Sequence, residues 1–364
     1  MNLKPQIKQK LHAYYKSLEI KEHHLSYLFL EITRKCNLDC LHCGSDCKAE
    51  INFPELTTDS WIRIIDYIEQ SYSKSVAFVL TGGEPLIHPD IYKIGQHINK
   101  KGMRWGMVTN GIALNKNRLT RLIDSGIYSI TLSLDGLEES HNWLRNNKNA
   151  FKKTSTALSL IGNSNIAFKD VVTCVSPKNL YELNDIADFL IENKIKEWRL
   201  FRIFPSGRAK NNKDLNLTFE QTQEMLQFIV KNKKVYQAKG LNINLSCEGW
   251  VPMQTDLKVR DNPFFCRAGI NIASILSDGT ITGCTNNDES FHVGNILNDN
   301  FSFVWENHFD IFRKREWISD TDCANCKHIK QCQGSSIHLW EMGDKKPKFC
   351  YAVDLDCDSS LRTK

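Results

Sequence analysis

Six short apolar runs recur between residue 26 and about residue 235. They are SYLFLEI (26–32), SVAFVLT (75–81), MRWGMVT (103–109), YSITLSL (128–134), AFKDVVTCV (167–175) and WRLFRIF (198–204). Between them the apolar positions return every three or four residues. Trp61, Ile64, Ile65 and Ile68 keep that spacing, as do Leu183, Ile186, Ala187, Leu190 and Ile191, and it places each set on one helix face. Strands alternating with helices predict a parallel sheet. Six units are too few to close an eight-stranded barrel, so the expectation is an α/β fold with a partial (β/α)6 TIM-like barrel. In such folds the chemistry sits in the loops at the C-terminal ends of the strands.

After residue 240 the periodicity breaks, apart from a helical pattern around 301–315, and cysteines become frequent. That half reads as a small cysteine-rich domain stapled by metal rather than by a large apolar core. The expected organisation is an N-terminal extension over 1–25, the barrel over 26–235 and the cysteine-rich domain over 236–364.

Composition adds exclusions. The 364 residues carry a net charge of +5 and 41% hydrophobic residues, enough for a sizeable core. The basic residues are scattered, so no nucleic-acid-binding stripe is expected. No apolar stretch approaches the roughly 20 residues that span a membrane, and the basic N-terminus lacks the apolar run of a signal peptide. A cytoplasmic protein is expected. Thirteen cysteines in that compartment point to metal rather than to disulfides.

Four of them crowd into RKCNLDCLHCGSDC, directly after the first predicted strand. Cys36, Cys40 and Cys43 form C-x3-C-x2-C, three thiolates able to hold three irons of a cubane 4Fe–4S cluster and leave the fourth open. A zinc site would more often pair C-x2-C with a distant second pair. Cys47 offers itself as a fourth ligand of a closed cluster. TGGEPLIHP follows the second strand. There Gly82 and Gly83 allow a ligand close to the backbone, Glu84 can accept hydrogen bonds from an ammonium group, and Pro85 stiffens the turn.

With these two motifs one strand–helix unit apart, the chain resembles the radical S-adenosylmethionine (SAM) superfamily over roughly residues 26–210. His42 fills the family's aromatic position before the third cysteine. VTNG (108–111), LSLDG (132–136) and FPSGRA (204–209) resemble further family segments, and HNWLR (141–145) resembles one in which Asn142 replaces an acid. The resemblance implies that Cys36, Cys40 and Cys43 ligate a SAM-binding 4Fe–4S cluster. It also implies that His42, Gly82, Gly83, Glu84, Pro85, Asn110, Ser133 and Arg145 surround the SAM. It implies reductive cleavage of SAM to a 5′-deoxyadenosyl radical that abstracts a hydrogen atom. The cofactor carries the hard chemistry and the protein supplies orientation.

The later cysteines resemble a SPASM extension, which on related enzymes carries auxiliary 4Fe–4S clusters. By that resemblance Cys323, Cys326, Cys332 and Cys350 form an outer cluster, and Cys266 and Cys284 belong to an inner one. The usual pattern has a further cysteine where this chain has Ser336. The inner cluster would then lack a ligand, for which Cys357, or more remotely His338, is a candidate. One or two auxiliary clusters are therefore expected, with structural zinc as the alternative. Cys174 and Cys247 read as small buried hydrophobes. Cys247 is also a candidate hydrogen-atom donor, and Glu248 and Asp135 are weaker acid–base candidates.

The implied activity is hydrogen abstraction from a peptide substrate, with a low-potential electron donor such as flavodoxin or ferredoxin as partner. The competing readings are a small-molecule substrate such as a tetrapyrrole intermediate, and a non-catalytic iron–sulfur scaffold. No separate peptide-recognition domain fits within the first 25 or so residues.

Overall fold

The computed structural model of the chain describes residues 5–48, 53–72 and 74–352. Each of the six predicted runs is a strand: β1 (Tyr27–Thr33), β2 (Ala77–Gly82), β3 (Arg104–Thr109), β4 (Ser129–Ser133), β5 (Phe168–Val175) and β6 (Glu197–Arg202). All five neighbouring pairs run parallel in sequence order. Parallel strands need crossovers, and the periodic segments supply them. These are α2 (Thr58–Ser71), α3 (Ile91–Lys100), α4 (Lys116–Asp124), α5 (Glu138–Leu144) with α6 (Ala150–Gly162), and α7 (Leu183–Glu192); a helix ahead of the sheet, α1, spans Pro5–Glu22. Trp61, Ile64, Ile65 and Ile68 are buried on α2. They face the sheet core that includes Leu28, Leu30, Phe78 and Leu80. The helix starts where Thr57 accepts a hydrogen bond from the Ser60 N–H, satisfying an otherwise unpaired first-turn donor.

The fold is α/β with the parallel sheet of a partial barrel and a cysteine-rich C-terminal region. Its sheet is larger than the six expected strands. The full order is β10-β9-β8-β1-β2-β3-β4-β5-β6-β7. β7 (Asn242–Leu245) joins β6 in parallel, and β8 (Ile272–Ile275) joins the other edge beside β1. β9 (Thr280–Thr282) and β10 (His292–Asn295) continue antiparallel. These strands have only three or four residues, too few for an alternation to stand out in the sequence.

The expected boundary at 235/236 falls inside α8 (Phe219–Ala238), whose start is fixed by a reciprocal Thr218/Gln221 capping box. The physical reason is that the helix delivers β7 to the sheet edge, so the barrel's last strand lies beyond the expected limit. The expected extension at the N-terminus packs on the C-terminal half. Glu19 of α1 accepts from Asn271 Nδ2 at 2.8 Å, and His12 Nε2 lies 3.3 Å from the Phe264 carbonyl. After α9 (Met253–Val259), the expected helix over 301–315 forms as α10 (Phe301–Asn307) and α11 (Asp310–Arg313). Phe309, at the break, is buried together with Phe312.

Candidate active site

The chain leaves β1 at Thr33 and turns at once into the four-cysteine loop. Cys36 N–H donates to the Lys48 carbonyl at 2.9 Å and closes the loop at its base. From outside, Arg208 ties it. Its Nε donates to the Cys40 carbonyl at 2.7 Å, and its Nη1 donates to Asp46 Oδ1 and to the Cys47 carbonyl, both at 2.9 Å. The Arg208 N–H adds a bond to the Cys43 carbonyl at 3.0 Å. This contact requires Gly207, which has φ +53°; a Cβ there would lie 2.4 Å from the Cys43 oxygen. Cys36, Cys40 and Cys43 thus end on one cavity, with Cys47 beside them. A hydrogen bond from Cys47 lowers the Cys43 thiol to about 6, with the Arg208 charge adding to the effect.

That cavity, of about 290 Å3, is lined from the C-terminal ends of successive strands: Gly82 and Gly83 after β2, Asn110 after β3, Ser133 at the end of β4, and Cys174 on β5. His42 and Arg145 complete this wall. Seven of the eight residues that the resemblance put around SAM are therefore placed as follows: His42, Gly82, Gly83, Asn110, Ser133 and Arg145 line the cavity, while Pro85 is buried at the start of a short 3-10 turn.

Glu84, the eighth, is not among the residues lining the cavity. Its side chain is completely buried and turned away from the cavity. Oε1 accepts from the Leu86 N–H at 3.0 Å and from Thr109 Oγ1 at 2.8 Å; Oε2 accepts from the Asn110 N–H at 2.8 Å. Burial raises its pKa and the three donors oppose the rise. The carboxylate holds three donors and so fixes the backbone of Asn110. The two glycines also meet the cluster loop. A Cβ on Gly83 would lie 2.1 Å from the Lys35 carbonyl oxygen, and one on Gly82 would lie 2.0 Å from that of Thr33. Both positions are small because the cluster loop's own backbone rests on them.

Asp135 does not line the cavity either. It is fully buried and pairs with Arg145 Nη2 at 2.6 Å, with His42 Nε2 at 3.5 Å, and with the Cys174 N–H at 2.9 Å. Burial would raise its pKa, but the Arg145 charge, with His42, His141 and the Cys174 N–H adding to it, lowers it on balance. Burial works against the charge on Arg145 too, and Asp135 together with Cys40 and Cys174 raises that pKa on balance. His42, Asp135 and Cys174 place ligand atoms within 4.8 Å of one another, but the guanidinium already supplies the cation there. Asn142, the departure from the family's acid, lies outside this pair. It accepts from the Phe151 N–H at 2.8 Å and donates to the Lys148 carbonyl at 3.0 Å, bracing the start of α6.

In the C-terminal region Cys323, Cys326, Cys332 and Cys350 line one small enclosed hollow together with Arg202, Glu248 and Trp250. A second group gathers Cys247, Cys266 and Cys284. Burial pushes the Cys284 thiol up to about 12, with Cys247 and Cys266 close enough to push it further. Cys247 is exposed, and its pKa is raised by burial of the thiol, with Cys266 adding to the rise. Ser336 Oγ donates to the Cys247 carbonyl at 3.2 Å. Reading Cys247 as a simple hydrophobe missed this placement, because 19 residues separate it from Cys266 in the chain. Cys357 lies outside the described residues. Among the described residues no three cysteine sulfurs lie within 4.8 Å of one another, whereas thiolates about 2.3 Å from one zinc ion stand only about 3.8 Å apart.

The far end of the cavity was unforeseen. Phe201, Arg202, Ile203 and Phe204 from β6 and its loop meet Asn286 and His338 there. His338 packs against Phe204 with ring centroids 4.2 Å apart, and its Nε2 has no hydrogen-bond partner among the described residues. Burial lowers it to about 4, so the ring is neutral at pH 7.

Residues 30–190 match the model of the radical SAM superfamily, and residues 266–327 match that of an iron–sulfur cluster-binding domain, SPASM. The AdoMet-dependent heme synthase of Methanosarcina barkeri is 26% identical over 84% of this chain and 89% of its own length. The mycofactocin maturase of Mycolicibacterium smegmatis is 28% identical over 84% of this chain and 76% of its own. The fold is shared with Streptococcus suis SuiB bound to S-adenosylmethionine, with a TM-score of 0.68 and 16% identity, covering 88% of this chain and 76% of that one. Among the described residues no helix is long and apolar enough to cross a membrane.

Proposed function

The chain is a radical SAM enzyme with a SPASM domain, whose cofactors are 4Fe–4S clusters and SAM, and from that premise we propose that it abstracts a hydrogen atom from a peptide substrate. The observation that supports the peptide reading is the lining of the cavity, where Phe201, Phe204 and His338 suit one side chain entering between them. SuiB, which shares the fold, is also known bound to its precursor peptide SuiA. The heme synthase relatives support a second reading, a tetrapyrrole substrate.

In this proposal Cys36, Cys40 and Cys43 hold the SAM-binding cluster, with Cys47 outside it. When bound, the cluster and SAM together supply a 5′-deoxyadenosyl radical by reductive cleavage of the sulfonium–C5′ bond. The protein's own part is positioning. Arg208 fixes the loop, Gly82 and Gly83 let it sit against β2, and Glu84 presents Asn110 to the cavity. Asp135 anchors Arg145 and His42, so that Arg145 Nη1 stands 3.8 Å from Cys40 Sγ. The strand ends and Phe201 and Phe204 keep water from the reacting centre. His338, neutral and unpartnered, faces the substrate.

Cys323, Cys326, Cys332 and Cys350 are assigned to an outer auxiliary cluster. Cys247, Cys266 and Cys284 are assigned to an inner one, with Ser336 at the corner where a thiolate is missing. A flavodoxin- or ferredoxin-type protein is the proposed electron donor.

The test is SAM turnover by the anaerobically reconstituted protein. 5′-Deoxyadenosine formation should rise when candidate peptides are added, with a mass change in the peptide. A response to tetrapyrroles and to no peptide transfers the assignment to the second reading. Zinc in place of iron at the C-terminal cysteines removes the auxiliary-cluster assignment.

A further inference from the structure

Arg202 is the last residue of β6 and is buried, with 7% of its surface exposed. It lines both the SAM cavity and the four-cysteine hollow. Its backbone N–H donates to Glu248 Oε2 at 2.6 Å, and its Nε stands 3.2 Å from Glu248 Oε1. Its guanidinium lies 4.6 Å from the ring centroid of Phe349, the residue before Cys350. Glu248 is itself buried, at 2% exposure, and lines the same hollow. A fixed cation and a fixed anion therefore stand in the wall between the two sites, beside four thiols and away from bulk water.

A buried ion pair is a weak source of stability, because desolvation offsets its attraction. It is a strong source of local field, because screening by solvent is small there. A cluster held by four thiolates carries net negative charge and gains another on reduction. Its potential responds to charge and to burial.

The geometry points to Arg202 as a positioning residue that holds up the reduction potential of the auxiliary cluster in the Cys323/Cys326/Cys332/Cys350 hollow, with Glu248 both orienting it and opposing it. The inference rests on the assignment of that hollow to a 4Fe–4S cluster. Arg202 lines the SAM cavity as well as this hollow, so the substrate's site and the cluster's hollow share it.

The experiment uses the full chain with Cys36, Cys40 and Cys43 changed to alanine, so that only auxiliary iron is read. The midpoint potential is followed by a redox titration monitored by electron paramagnetic resonance. Arg202→Gln is expected to move the potential to more negative values and Glu248→Gln to more positive ones. Arg202→Lys, which keeps the charge, should stay near the parent. Parent-like potentials in both Gln variants overturn the inference while leaving the cluster assignment intact. Zinc in the parent protein, with no iron signal, instead overturns the assignment beneath it. If Arg202→Gln takes up no iron, the Glu248→Gln and Arg202→Lys titrations decide. Loss of iron from all three variants makes the pair a scaffold and overturns the inference too.

Discussion

Arg208→Ala tests whether the cluster loop is held from outside. The substitution removes the hydrogen bonds to the Cys40 and Cys47 carbonyls and to Asp46. Hydrogen bonds from a charged group are worth roughly 1.5–3 kcal/mol each, so the two carbonyls account for about 3 kcal/mol at the lower figure. The pairs with Asp39 and Asp46 add little, since those carboxylates are 62% and 47% exposed and exposed pairs contribute about 0–1 kcal/mol. The bond from the Arg208 N–H to Cys43 survives because it belongs to the backbone. A loss of about 3–4 kcal/mol at about 1.4 kcal/mol per decade corresponds to roughly 10²–10³ in the population of the ordered loop. The assay is the rate at which a ferrous chelator strips iron from the reconstituted, reduced protein. Iron from the first site should leave roughly 10²–10³ times faster, with the auxiliary iron released at the parent rate. Arg208→Lys should fall between the two, since one ammonium group cannot reproduce the fork. Equal stripping rates in parent and Arg208→Ala, or equal acceleration of the auxiliary iron, would refute the reasoning.

Glu84→Gln should weaken SAM binding by about tenfold or more, because one amide N–H then faces the Thr109 hydroxyl and Leu86 N–H or the Asn110 N–H; equilibrium dialysis with labelled SAM checks this, and unchanged affinity would return Glu84 to solvent-like freedom. Gly83→Val should lower both SAM affinity and first-site iron, since its Cβ meets the Lys35 carbonyl at 2.1 Å; a variant with full iron and weakened SAM binding would show that the glycine serves only the ligand. His338 is held near 4, below the unfolded value of 6.5. Below 6.5 the unfolded chain takes a proton that the folded one refuses, so stability falls as pH drops from about 6.5 to about 4, by up to about 3 kcal/mol. His338→Gln should flatten the fall of Tm over that window, and an unchanged slope would show that the ring is already accessible to protons.

The sequence alone carried the barrel strands and the cluster loop, because both are local. Alternation and helical spacing sit within ten or so residues, and C-x3-C-x2-C sits within eight. It also carried the outer four cysteines, whose spacing resembles a known pattern. Residue type did not show the partners of Glu84: Thr109 and Asn110, 25 and 26 residues on, donate to it. Nor did it show that the Cβ positions of Gly82 and Gly83 are filled by the backbone of residues 33–35. Strands β7 to β10 were hidden because strands of three or four residues are defined by the edge they pair with, not by their own pattern. The grouping of Cys247 with Cys266 and Cys284, the Asp135–Arg145 anchor and the place of Arg202 between two sites exist only once distant segments meet. Sequence spacing records periodicity along the chain; burial, pairing and field are properties of neighbours in space, and only the tertiary structure decides those.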